Sequence, residues 1–568
     1  MRRLLVLVVA LAVALVSACS SIPTSGPVEE VPFTAQPRGI DIAPEPPAEG
    51  VTPTRLVEGF LQAMADPGDD YAVARQYLTA GAGAWWQPKT ARVVQASVTA
   101  DLEGTAHLDG ELLGVLDANG RLTSTNEAFT FDFSLVQEEG EWRIGTAPEG
   151  LLLSRYIFER YYSRVPLYFM SRAGSHVVPD LTHVAEAQLL PSRVVEALLD
   201  GPSEQIARTV TTAIPSGARL GENGATIDAS GVVTVDLTGL DDDMTVEARR
   251  GMGAQLLWSL NAINASSRMT GLVITSDGMA FALPGANAAG VLEFAGQQGY
   301  QVLSRGATPN LYGISDGVPG RLGDDSRFVP LLPRSDGSAD AAVSLDGVTV
   351  AYIDEAREEL SLGQLGGQVT PMRPGYTNLR APQFVLGALW LLGDDEEGVT
   401  RLLTLDRAGA VVTVRLTLPE GAVVEAFAVS PTRARVAMVV NGDEGRKLGV
   451  LTLLPSGTDT AGWAPLSMVS PRGLEIGDVT GVAWQAETAL AFIGSTSSGR
   501  SVFLAQSDGS LVEDIGPVAG DVDEITAMAR LGGGSVAIRN EAGTVWRYEA
   551  RTRWTRIIDG VSAIGFGS

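Results

Sequence analysis

The sequence predicts a multidomain chain of mixed class: two successive α+β domains, then an all-β region that closes as a beta-propeller. Three observations carry this. The chain has 568 residues at 45% hydrophobic content, enough for several separate cores. Between residues 51 and 300, apolar residues at helical spacing share the sequence with alternating strand-like runs. From residue 304 to residue 568 the apolar runs become short, come in pairs and recur.

The N-terminus is a leader. Arg2 and Arg3 precede the apolar run Leu4 to Val16, and Val16-Ser17-Ala18-Cys19 ends it. A basic start, a short apolar core and small residues before the cut make a secretory signal. The run is about 15 residues, short of the roughly 20 that span a bilayer, which argues against a membrane helix ending in a buried cysteine. The small residues before Cys19 resemble a bacterial lipobox. That resemblance implies that residues 1–18 are removed as a lipoprotein signal peptide and that Cys19 is the site of lipidation. Acyl chains would then hold the chain on the cell membrane, because each buried methylene contributes roughly 0.8 kcal/mol.

Cys19 is the one cysteine, so no intramolecular disulfide is expected and stability must come from packing. The formal charge of -26 argues against nucleic acid and against direct adhesion to anionic lipid. Residues 19–50 hold Pro23, Pro27, Pro32, Pro37, Pro44, Pro46 and Pro47 among small and acidic residues, and are read as an extended tether.

Residues 51–150 form the first domain. Thr52-Pro53 is a helix cap followed by proline at the first helical position, and Leu56, Val57, Phe60, Leu61 and Met64 give one apolar face. Pro67-Gly68 ends this helix, and a second is expected from Tyr71 to Leu78. Strands are expected at Val93 to Thr99, Leu112 to Leu116, around Phe129, Phe131, Phe133 and Leu135, and at Glu141 to Ile144. Helices first and an antiparallel sheet after resemble the nuclear-transport-factor-like cone. Trp85 and Trp86 are read as core residues in preference to pocket lining.

Residues 151–300 form the second domain, opened by a connector helix over Leu151 to Tyr162. A strand at Val165 to Met170 follows, then a helix at Pro191 to Leu199 broken by Asp200-Gly201-Pro202. A strand at Gly231 to Leu237, a long helix over Ala248 to Asn261 and a strand at Gly271 to Ile274 complete it. Leu-Leu-Asp-Gly-Pro at 198 to 202, Ile-Pro-Ser-Gly at 214 to 217 and Val-Thr-Val-Asp-Leu at 233 to 237 resemble, in this order, the GerMN domain. Gly201 and Gly217 are explained by turn chemistry, and Asp241-Asp242-Asp243 by a solvated loop in preference to a cation site.

In residues 304–568, equivalent positions at Val343, Val385, Val429, Trp484 and Ala529 give steps of roughly 42, 44, 55 and 45 residues, the period of a four-stranded propeller blade. Leu311-Tyr312-Gly313 and Phe328 to Leu331 read as outer strands without an inner one, and Ser562 to Phe566 as an inner strand without partners. The two ends are therefore expected to meet in one composite blade, giving six blades, with five as the alternative.

Catalytic chemistry finds no purchase. His107, His176 and His183 share no metal-ligand spacing and are read as surface or packing residues. No nucleophile elbow accompanies a histidine, and Gly532-Gly533-Gly534 belongs to a hairpin turn and not to a phosphate loop. The acidic loop Gly393 to Gly398 has the residue types of a calcium site, but its bunched acids are read as an exposed interblade connection in preference to one. No catalytic residue, metal or cofactor is expected.

Leader, tether, helix-plus-sheet domain, GerMN domain and propeller, in this order, resemble the actinobacterial lipoprotein family LpqB. The resemblance implies an accessory lipoprotein on the outer face of the cytoplasmic membrane. Its implied partner is the extracytoplasmic sensor domain of the histidine kinase MtrB, which signals through the response regulator MtrA and influences cell-wall homeostasis and division. The alternative is an envelope lipoprotein that binds a cell-wall fragment in the cone or the propeller funnel.

Overall fold

Thr52 takes extended backbone angles and Pro53 opens the first helix, Pro53–Ala63, as proline's fixed φ favours. The computed structural model describes residues 44–567, apart from 102–103, 189, 242, 264–268, 304–308, 406–408, 444, 517 and 519. Cys19 and most of the tether lie outside the described residues. Residues from Pro44 onward form one compact unit.

Leu56, Val57, Phe60 and Ala63 form the buried stripe of the first helix. Phe60 meets Phe133 edge-on, with ring centroids 6.4 Å apart, and Trp86 at 5.6 Å. The sheet beneath runs Glu141–Ile144, Leu122–Glu138, Thr105–Leu116, Ala91–Ala100, Leu151–Ser154, with only the last pair parallel. In the next helix, Gly68–Gln76, residues Asp69, Asp70 and Tyr71 are left-handed, so its regular part follows Tyr71. A third helix, Ala80–Trp85, is capped by Thr79; its Ala-Gly composition offers no apolar period to read from sequence.

Two expectations fail here. Of the tryptophan pair, Trp86 is core, 1% exposed, with its indole N–H donating to the Gly150 carbonyl at 3.0 Å, but Trp85 is 50% exposed. The chain leaves the helix at Trp86, so consecutive side chains diverge. The connector at Leu151 to Tyr162 is not one helix. Leu151–Ser154 is a strand whose three leucines are buried, and Ser154 then caps the short helix Arg155–Tyr161. Pairing to Ala91–Val94 overrides helix propensity there.

The second domain is a mixed-sheet GerMN-like unit. Val232–Thr238 pairs in parallel with Gly271–Ser276, and the helix Val246–Leu260 makes the crossover. Helix Pro191–Leu199 stops at Asp200, and Gly201 turns the chain at φ +89. A separate sheet joins Val177–Ala185, Tyr162–Ser171 and Val210–Thr211.

The C-terminal region is a series of four-stranded antiparallel sheets consistent with a propeller, six of them among the described residues. The first draws on both ends of the region: Ala563–Phe566 pairs with Leu311–Ser315, which continues to Val318–Leu322 and Phe328–Pro330. The other five open with Ser338–Val343, Thr377–Val385, Val423–Val429, Gly477–Trp484 and Val522–Met528. Successive sheets share apolar clusters: Tyr312 with Val343, Ala351 with Leu389, Trp390 with Val436, Ala437 with Trp484, and Ile493 with Ile538. The sixth sheet shares another with the first, through Met528 and Leu311. At the expected hairpin turn, Gly532 and Gly533 have φ of +82 and +112, and a Cβ on Gly534 would strike the Met528 carbonyl. The acidic loop at Gly393 to Gly398 is exposed but not interblade: it joins Ala388–Asp394 to Thr400–Leu405 within one sheet. Asp395 folds it by accepting the Glu397 and Val399 N–H groups.

Candidate functional site: the seam between the domains

The strand Val177–Ala185 is buried at all nine positions, which an antiparallel strand of a two-layer domain does not need. One face, with Val178 and Val184, enters the GerMN-like core. From the other, Pro179 and His183 reach the C-terminal sheets. The Pro179 carbonyl accepts from Arg435 Nη1 at 2.9 Å, and His183 Nε2 lies 2.8 Å from Asp508 Oδ2.

Asp180 sits at the point where all three regions meet. Its carboxylate accepts from the N–H and hydroxyl of Ser203 at 2.7 and 2.9 Å. Arg121 Nε, from the first domain, is 3.3 Å away, and Arg435 Nη2, from the fourth sheet, is 3.6 Å away. All three side chains are at most a tenth exposed. Burial lowers the Arg435 pKa, and the charges of Asp180 and Asp508 oppose that shift. Burial likewise works against the charge on Asp508, but the His183 hydrogen bond and charge and the Ser510 contacts outweigh it, and its carboxyl stays below the usual range.

A second buried contact lies nearby. Tyr168 donates to Glu487 Oε2 at 2.6 Å, with Trp258 packed beside the tyrosine ring. Burial pushes the Glu487 carboxyl up to about 7 against the Tyr168 and Gln301 hydrogen bonds. Tyr168 is raised well above its ordinary value by burial, then by the charge and hydrogen bond of Glu487. Around this centre His176 Nε2 meets the Thr432 carbonyl at 3.1 Å, Thr452 donates to the Gln205 carbonyl, and Arg155 donates to the Ser470 and Val469 carbonyls. The seam is therefore closed by directional bonds from many elements and holds the domains as one body.

The three histidines divide. His183 and His176 serve the seam, while half-exposed His107 pairs with Asp132 at 2.7 Å. Asp241 and Asp243 are exposed. Among the described residues no three His, Cys, Asp or Glu side chains converge to hold a metal ion. The interior of the first domain is filled by Phe60, Tyr77, Trp86 and Phe133. A crevice between Val93, Leu122, Phe158, Val469 and Val512 has a volume of about 30 Å³, room for a water or two. Ligand pockets run to some hundreds of Å³. Sequence reasoning missed Asp180, Arg121 and Arg435; the available signal was an aspartate and a histidine inside the apolar run Val177 to Ala185.

Fold and seam together define a multidomain protein, two α+β domains and a series of four-stranded sheets, built around fixed contacts between its domains. The family model for the N-terminal domain of lipoprotein LpqB matches residues 46–159, that for sporulation and spore germination proteins matches 166–279, and that for the LpqB beta-propeller domain matches 324–563. The chain matches the actinobacterial LpqB family, with its N-terminal, GerMN-like and propeller models falling in that order. It is 29% identical to Lipoprotein LpqB of Cutibacterium acnes over 600 aligned positions, covering 98% of each chain. It is 28% identical to that of Thermobifida fusca, covering 97% of this chain and 96% of the other. Among solved structures, TolB from Acinetobacter baumannii aligns at 11% identity with a TM-score of 0.34, over 62% of this chain and 99% of that one. Proteins of this family are lipid-anchored and extracytoplasmic. No helix among the described residues is long and apolar enough to cross a membrane.

Proposed function

We propose that the protein is an accessory partner of a sensor histidine kinase, held beside it by lipid on Cys19 and acting by contact alone. In this reading the kinase is MtrB, signalling through MtrA, and cell-wall homeostasis and division respond to the complex. The C-terminal sheets are six blades of one closed propeller, residues 51–150 form a nuclear-transport-factor-like domain, and 151–300 form the GerMN domain with its connector.

The single observation behind this reading is the match along the chain to the LpqB models and relatives, and the seam adds how the domains are held. Three domains fixed by Arg121, Asp180 and Arg435 form a rigid body, and a rigid body loses little freedom when it binds. Anchoring both proteins in one membrane raises their effective concentration without any new contact. Preferential binding to one kinase conformation would then shift its signalling, since only differential affinity moves such an equilibrium.

The test is binding of the purified extracytoplasmic domain of the kinase to residues 20–568 on a sensor surface. Saturable binding supports the reading, and no binding at tens of micromolar rejects it.

A further inference from the structure

The C-terminal sheets have two ends, and the rest of the chain covers only one. In each sheet the turn between the first and second strands lies at the same end as the turn between the third and fourth. Glu487, Thr432 and Asp508 belong to such turns, and each is bonded to the GerMN-like domain. The opposite end carries the hairpins that join second to third strands, together with the starts of the inner strands. Of the seam contacts described above, those of Arg155 with Val469 and Ser470 fall in a connection that leads to an inner-strand start, and the others lie at the seam end.

The open end has a consistent chemistry. Its hairpins present Asp316, Glu355, Glu396, Glu397, Asp443 and Glu541, all exposed. Its arginines are already engaged within the same end. Arg380 pairs with Asp394 at 3.1 Å, Arg401 with Asp395 at 2.6 Å, and Arg446 with Glu425 and Asp478 at 2.5 and 2.9 Å. Arg500 joins Asp478 at 3.5 Å, Arg539 joins Asp523 and Glu524, and Arg357 donates to the Leu379 carbonyl at 3.0 Å. These bonds tie neighbouring strands and sheets together and engage these arginines; Lys447 also lies at this end, and the hairpin tips carry more carboxylates than cations, on a stiff base. Two aliphatic side chains stand among them: Val399, 43% exposed, beside Glu396 and Glu397, and Val423, 51% exposed, at the start of the fourth sheet's inner strand.

We infer that the hairpin end of the C-terminal sheets is a docking face for a folded protein domain that presents a lysine- and arginine-rich surface, with Val399 and Val423 as its apolar anchors. Charge complementarity selects the partner, because an acidic face speeds encounter with a basic one and repels acidic proteins and anionic lipid. The inference deepens the reading of the previous subsection, which supplies the partner, by assigning the face and its chemistry.

Two measurements on residues 20–568 test it and separate its failure from failure of the kinase reading. The first compares binding of the kinase's extracytoplasmic domain to the native chain and to E396Q/E397Q/D443N/E541Q. These residues are exposed and away from the seam, so the variant folds, as its circular dichroism will show. The expected result is binding weakened roughly ten-fold, with the native affinity itself falling as salt rises from 50 to 300 mM. Equal binding by both chains, insensitive to salt, overturns the docking face while leaving the kinase reading intact. The second places a photocrosslinking residue at Val399, at Val423 and, as a control, at the exposed Tyr156 of the full lipoprotein in intact cells. Adducts from Val399 and Val423 on identified lysine- and arginine-rich peptides, absent from the control, support the face even if the kinase does not bind. No adduct from either position, or adducts on acidic or uncharged peptides, overturns it.

Discussion

Asp180 is the residue on which the junction turns. It is one carboxylate between two buried guanidiniums, and removing it strands both. Asp180→Ala is expected to cost about 3–5 kcal/mol, read as loss of the high-temperature transition in calorimetry. Replacing the charges together (Asp180→Leu with Arg121→Met and Arg435→Met) is expected to cost far less, because no uncompensated charge remains. Glu487 gives the seam a pH dependence with a defined sign. Its folded pKa of about 7 lies above the ordinary 4.5, so the native state holds the proton more tightly than the unfolded one. The stability linked to that proton is fully present below about pH 4.5 and is lost as pH rises through 7, by on the order of 3 kcal/mol. Asp508, held low, works in the opposite sense only below about pH 4. Melting curves at pH 5.5 and 8 should therefore differ less in Glu487→Gln than in the native chain. Asp340 and Glu524, whose carboxyls are also raised, cancel in that comparison.

At the scale of elements, the first C-terminal sheet depends on the last strand. Ala563–Phe566 lies next to Leu311–Ser315, and Ile564 and Phe566 enter the cluster with Met528 and Leu322. Truncation after Gly560 leaves an unpaired edge and an open core, and is expected to expose residues 311–330 to limited proteolysis within minutes while 51–150 stays intact. That closure was legible in the sequence because the unmatched outer strands and the unmatched inner strand sit at opposite ends of one region. The five internal hairpin pairs were legible for a related reason: a short apolar run, a turn and a second run repeat at nearly constant spacing. What sequence does not carry is which neighbour a segment chooses. Leu151 to Tyr162 has helical spacing throughout, yet its leucines are strand because Ala91 to Val94 lies open beside them. Trp85 and Trp86 are chemically identical, and only the end of the helix decides which one is buried. Asp180 and His183 stood out against an apolar run, but their arginine and aspartate partners lie far away in sequence, and no local pattern points to them.

At the scale of the whole molecule, residues from Pro44 onward form one compact body whose domains are joined along the seam. The seam contacts gather at one end of the C-terminal sheets, and the proposal places partner binding at the other, acidic end, so that cohesion and binding would use different surfaces. In the proposed reading, lipid on Cys19 supplies the remaining element, confinement to the membrane where the kinase lies. In cells whose only copy carries Cys19→Ala, the phosphorylated fraction of the response regulator tests this account most directly. The account predicts a protein released into the medium and a phosphorylated fraction equal to that of a strain lacking the protein. Native signalling alongside a released protein would contradict it.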